Sequence, residues 1–113
     1  MPLTNEKMKN RTFLQDLYDD DYFPRHLVDR GKQILVRLCE RIENERPADL
    51  PALYRLTHGA TDEFNDLAEA FDDEGSELET AARESIGEEF WFIANAYGFS
   101  NADSEELIAT RDW

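Results

Sequence analysis

The sequence predicts an all-α, up-and-down antiparallel bundle of three long helices plus one or two short ones. Three observations carry this. Apolar residues recur at i, i+3, i+4 and i+7 through three stretches, the spacing that lines one face of a helix. Proline and glycine stand between those stretches, where helices start and stop. No stretch alternates apolar and polar with period two between turn dipeptides, so no strand is predicted. Connections of about two to six residues favour antiparallel neighbours. A chain of 113 residues suffices for one domain, spanning 1–113, around one core.

The first helix is predicted from about Asn5 to Tyr18, with Thr4 or Asn5 as N-cap and Phe13, Leu14, Leu17 and Tyr18 apolar. Asp19-Asp20-Asp21-Tyr22-Phe23 breaks it as a loop, its aspartates solvated and its two aromatics tucked against the bundle. Pro24 suits the first turn of a second helix that runs to about Glu45 and buries Leu27, Gly31, Ile34, Leu35, Leu38 and Ile42. Pro47 stops it, and Asp49 caps a third helix with Pro51 in its first turn. Leu53, Leu56, Ala60, Phe64, Leu67 and Phe71 form its stripe. It ends near Glu74, where Gly75 can take the left-handed conformation that closes a helix. Ser76 and Glu79 have capping-box spacing for the start of a fourth helix, which buries Leu78, Ala82, Ile86, Phe90, Ile93 and Tyr97 and stops at Gly98. A last turn capped by Asp103 or Ser104 carries Leu107 and Ile108.

Charge is divided unevenly along this frame. Residues 1–56 balance 10 Lys/Arg against 10 Asp/Glu, whereas residues 57–113 set 16 acids against only Arg83 and Arg111, which accounts for the whole net charge of −14. Such a surface repels nucleic acid and anionic membrane and attracts cationic partners or metal ions. Seven Phe, four Tyr and two Trp are too many aromatics for a disordered acidic segment. A lone cysteine, Cys39, makes no internal disulfide. No apolar run approaches the roughly 20 residues needed to cross a bilayer. The opening Met-Pro-Leu-Thr-Asn-Glu-Lys lacks the apolar middle of a secretory signal, so a cytoplasmic location is expected.

Catalytic constellations are not found. Twelve Asp and fourteen Glu make carboxylate pairs inevitable, so pairing alone says nothing of acid–base chemistry. Cys39 borders an apolar stripe and reads as packed rather than nucleophilic. There is neither a glycine-rich phosphate loop nor a basic-aromatic stripe for nucleic acid, and no cofactor is expected. Asp72-Asp73-Glu74-Gly75-Ser76-Glu77 fails as a calcium loop, because the sixth and twelfth positions from Asp72 hold Glu77 and Arg83. His58, Asp62 and Asp66 fall four apart on the third helix and could share a divalent metal. Yet the Glu-x-x-His pattern of di-metal bundles is missing, and a solvated polar face explains the same residues.

Trp91 projects almost opposite the Ile86/Phe90/Ile93 stripe, beside Glu84 and Glu88, with Phe92 on a third side. Cover by the N-terminal helix or by the tail around Trp113 is the expectation for so small a bundle. An exposed Trp ringed by carboxylates would instead resemble a binding hot spot for a cationic protein surface, formed by Glu84, Glu88 and Trp91.

Several stretches together are similar to a known family: Leu3-Thr4-Asn5-Glu6-Lys7-Met8-Lys9-Asn10, His26-Leu27-Val28-Asp29, Gly31-Lys32-Gln33-Ile34-Leu35, Leu56-Thr57-His58, Phe64-Asn65-Asp66-Leu67 and Arg111-Asp112-Trp113. They resemble a bacterial family of small proteins classed only as a domain of unknown function. The resemblance runs over nearly the whole chain and implies a bacterial, cytoplasmic, single-domain protein. It lends no functional residue. The expectation from the residues is a non-catalytic interaction module for a basic protein partner, inhibitor or immunity-like. The alternative is a metal-binding or metal-dependent carboxylate bundle built on His58, Asp62 and Asp66.

Overall fold

The predicted apolar stripes are the buried ones except at Leu56 and Tyr97, which are half-buried. In the computed structural model, which describes residues 3–113, α3 (Arg25–Glu45), α4 (Leu50–Asp73) and α5 (Thr80–Ala96) are the long helices. Met1 and Pro2, which open the stretch read above for a secretory signal, lie outside the described residues. Around the long helices stand three single turns, α1 (Glu6–Lys9), α2 (Gln15–Tyr18) and α6 (Ser104–Leu107), and no strand occurs among the described residues. Leu35, Leu38, Leu53, Phe64, Phe71, Ile86, Phe90 and Ile93 are essentially inaccessible. Burying each such side chain stabilises the fold by about 1.5–3 kcal/mol.

Cross-helix contacts set the directions. Arg37 meets Glu63 and His26 meets Glu74, each at 2.7 Å, so α4 descends as α3 rises. Phe64 packs edge-on against Phe90, and Phe71 shares an inner space with Ile86, so α5 runs back against α4 and alongside α3. Two predicted stops form as Schellman motifs. Gly75 (φ +79) follows α4, with Ser76 N–H on the Phe71 carbonyl at 2.9 Å; Gly98 (φ +91) follows α5, with Phe99 N–H on the Ala94 carbonyl at 2.8 Å. Asp49 caps α4 through the Ala52 N–H at 3.0 Å.

Four expectations need correction. The single helix from Asn5 to Tyr18 is two turns separated at Leu14, which is left-handed (φ 59). Asn5 does cap the first turn, accepting from Lys7 and Met8 N–H. A continuing helix would hold the Leu14 N–H; here the buried Glu89 carboxylate takes it at 2.6 Å and the Arg11 Nε at 2.5 Å. The turn this forces sends Phe13, Leu14 and Leu17 into the core together. Second, the Ser76–Glu79 capping box does not form. Ser76 is occupied in closing α4 and donates its hydroxyl to the Tyr22 carbonyl, so α5 starts only at Thr80, with Glu79 at its N-cap and no side-chain cap bond. Third, Phe23 is buried as expected, but Tyr22 is 46 % exposed. Fourth, Trp91 is not covered; it is 41 % exposed, and Phe92 38 %.

Glu89→Ala should destabilise the protein by at least about 2 kcal/mol, because it strands a buried N–H and unpairs Arg11. Glu89→Gln should recover part of that loss by still accepting from Leu14. Urea unfolding checks both; a Glu89→Ala midpoint equal to the parent's would contradict this role.

Candidate functional site

The outward face of α5 forms one wall of a groove of about 510 Å³. Arg83, Glu84, Glu88 and Trp91 line it at successive helical turns. The C-terminal segment supplies the opposite wall through Glu105, Arg111 and Trp113. Ile108 of that segment packs over Gly87, where a Cβ would stand in ordinary contact with it at 3.7 Å. All three residues predicted from the sequence as a binding surface, Glu84, Glu88 and Trp91, are brought together in this groove. Arg83, Glu105 and Arg111 were not foreseen there, whereas the tail around Trp113 was expected beside Trp91 as its cover. One signal was available, since Arg83 and Arg111 are the only two bases in residues 57–113.

The second wall is held by a polar stripe. Asp103 caps α6 by accepting from Glu105 and Glu106 N–H at 2.8 and 3.3 Å, while its own N–H donates to the Tyr54 hydroxyl. Along α4, Tyr54, His58, Thr61 and Asn65 recur at helical spacing, and each bonds to the C-terminal segment. His58 Nε2 donates to the Glu106 carbonyl at 2.7 Å. The Thr61 hydroxyl reaches the Leu107 carbonyl, and Asn65 brackets the end by donating to the Thr110 carbonyl and accepting the Asp112 N–H. Trp113 then packs edge-on against Phe64 at 6.3 Å, with the Arg111 guanidinium 5.8 Å from its ring.

This stripe separates the candidate metal ligands. A carbonyl only accepts, so the His58 nitrogen facing the tail carries a proton. Asp62 is exposed, and Asp66 faces α3 in a cleft with Arg30 and Arg37. Among the described residues no group of three or more His, Cys, Asp or Glu is placed to hold a metal ion.

A second polar cluster joins the two chain halves at the other end of α5. Glu43 accepts from the Thr4 and Asn5 N–H groups, the Thr4 hydroxyl and, at 2.5 Å, the Tyr97 hydroxyl. Burial opposes ionisation of Glu43, but those donors outweigh it and hold the carboxyl below its ordinary value. Burial first, then the same carboxylate, pushes Tyr97 up. Cys39 is fully buried beside them, and desolvation pushes its thiol up to about 12. A thiol so placed stays protonated at neutral pH and is packing material, as its sequence position implied.

The fold and groove therefore define a small helical bundle with an open groove bearing charges of both signs beside an exposed tryptophan. The chain belongs to a family of unknown function, DUF5713, whose model matches residues 7–113. No curated protein and no solved structure matches it. No helix among the described residues is long and apolar enough to cross a membrane.

His58→Ala should cost about 0.5–1.5 kcal/mol, the worth of one hydrogen bond. It should also accelerate amide exchange from Leu107 onward; unchanged exchange there would mean the tail is held without His58. Glu43 ionises more readily folded than unfolded, so the unfolded chain holds the extra proton and stability rises with pH through this window. That stabilisation is present above the ordinary value of 4.5 and is lost as pH falls through the lower folded value. Glu43→Gln should lower stability at neutral pH and flatten part of the acid-side loss. Urea melts across about pH 3–7 measure it; an unaltered pH slope would contradict the assignment.

Proposed function

We propose that this chain is a non-catalytic interaction module that binds a basic protein partner, inhibitor or immunity-like, through the groove beside Trp91. The exposed Trp91 carries the reading. An indole left 41 % accessible on a small bundle, with Glu84 and Glu88 on the preceding turns, matches the composition of interface hot spots, which are rich in tryptophan. A cation is attracted both by the carboxylates and by the indole face. The net charge of −14 would steer a basic partner in and turn nucleic acid and anionic lipid away. A cytoplasmic setting fits the single reduced, buried cysteine.

Affinity capture from the host, run at low and high salt, tests the reading when the captured partner is purified and its affinity measured. That affinity should fall as ionic strength rises, and Glu84→Lys with Glu88→Lys and Trp91→Ala should weaken it at least tenfold, about 1.4 kcal/mol. A partner indifferent to both salt and those substitutions would overturn the proposal.

A further inference from the structure

Among the described residues, Leu14 and Arg46 stand left-handed without being glycine. The buried Glu89 carboxylate accounts for Leu14, but no contact among those residues requires the same of Arg46. The other long helices, α4 and α5, close on Gly75 and Gly98, which take a positive φ freely. By contrast, α3 closes on Arg46 (φ 47, ψ 64). Its N–H reaches the Ile42 carbonyl at 2.9 Å, a bond that glycine would make equally well. Pro47 follows directly, and proline pushes the residue before it toward extended backbone, so the conformation is disfavoured twice. The Arg46 side chain is exposed and makes no hydrogen bond, ion pair or ring contact among the described residues.

That side chain lines a cavity of about 430 Å³ where the ends of α3 and α5 meet the N-terminal segment. Every other polar side chain of the lining is already engaged. Glu43 accepts from Thr4, Asn5 and Tyr97, and the Thr4 hydroxyl donates to it at 3.0 Å. The Asn5 side chain caps α1 and donates to the Ala96 carbonyl at 2.7 Å. Ile42, Pro47, Phe99 and the Tyr97 ring make the rest of the wall apolar. Arg46 is therefore the one polar side chain of the cavity whose donors are free. The acidic excess also stays out of this wall. Its charged members, Glu43 and Arg46, belong to the balanced residues 1–56, and Tyr97 and Phe99 bring no charge.

We infer that the cavity binds a small organic monocarboxylate, with the carboxylate on Arg46 and an aryl or alkyl body against Ile42, Pro47, Tyr97 and Phe99. A guanidinium fork can meet a carboxylate through two parallel bonds. One free cation suits one negative charge; a phosphate dianion would call for more donors than the lining has left. An arginine kept in a strained conformation without a contact to hold it there serves a ligand rather than the fold. The site shares no residue with the Trp91 groove and is independent of the interaction reading.

The probes are phenylacetate, hexanoate, the two corresponding amides and acetate, titrated into the full chain at fixed ionic strength. The Arg46 Nε–H and the Tyr97 and Phe99 ring resonances report binding. Phenylacetate or hexanoate should bind about tenfold more tightly than its own amide and than acetate, shifting Arg46 and Phe99 together. The better of the two acids identifies the body as aromatic or aliphatic. Arg46→Gly should erase the preference for acid over amide and, by relieving the backbone, raise the urea midpoint. Acid and amide bound alike, or a glycine variant that keeps the preference, would overturn the inference. So would a glycine variant whose midpoint is at or below the parent's, since Arg46 would then be serving the fold.

Discussion

The buried carboxylate of Glu89 is the contact on which most of the rest depends. Only 4 % exposed, it sits on the core side of α5 and takes the N–H of Leu14 and the Nε of Arg11. Ion pairs of this depth seldom stabilise a fold beyond what apolar residues of equal volume would give, because desolvation consumes the attraction. Its effect is better described as specification. By holding Leu14 left-handed it turns the N-terminal segment inward, and the Leu14 side chain then arrives only 3.0 Å from where a Cβ on Gly31 would stand. A Cβ at Gly31 would press Leu14 and Phe64 apart by a few tenths of an ångström, and across this glycine α3 closes on Phe64 and Leu67 of α4. One acid on the last long helix thus governs the packing of the first two. The same Arg11 lies 3.9 Å over Phe92, which is nonetheless 38 % exposed, nearly as open as Trp91.

The long helices were legible because their signals are local and redundant. Stripe, proline and glycine each mark the boundaries of α3 and α4, and any one would have placed them within a residue or two. What escaped was decided at a distance. Leu14 has nothing in its neighbourhood that calls for a positive φ; the reason lies 75 residues away in Glu89. Ser76 has the right spacing to start a helix, but it stands one residue past Gly75, and the end of the preceding helix claims it first. His58 was read as part of a solvated face and Asn65 was given no role, since a hydrogen bond to a main-chain carbonyl on a distant tail leaves no trace in side-chain pattern. The groove was half legible for the same reason: α5 spells out Glu84, Glu88 and Trp91 at helical spacing, whereas the facing wall depends on where the tail lands.

Electrostatically, the balanced half of the chain lends cations to the acidic half. Arg11 and Arg37 face acids beyond residue 57, namely Glu89 and Glu63, and the His26 ring hydrogen-bonds Glu74. The exposed pairs among these are worth about 0–1 kcal/mol each and leave most of the acidic excess in place. Self-repulsion is therefore a standing feature of the molecule, screened by salt at distances beyond a Debye length of about 10 Å at 0.1 M. Against that background Arg83 and Arg111, two bases lining one groove, are the least uniform element of the surface.

Cys39 gives the protein a built-in reporter. It is the sole thiol, it has no exposed surface, and it sits where α3 meets the Glu43–Tyr97 contact. A thiol reagent can reach it only when that junction parts, so its labelling rate measures how often the N-terminal clamp and α5 separate from α3. The chain can be followed in this way in a crude extract without any engineered probe, and an oxidant that spares the folded form will cross-link only molecules that have opened.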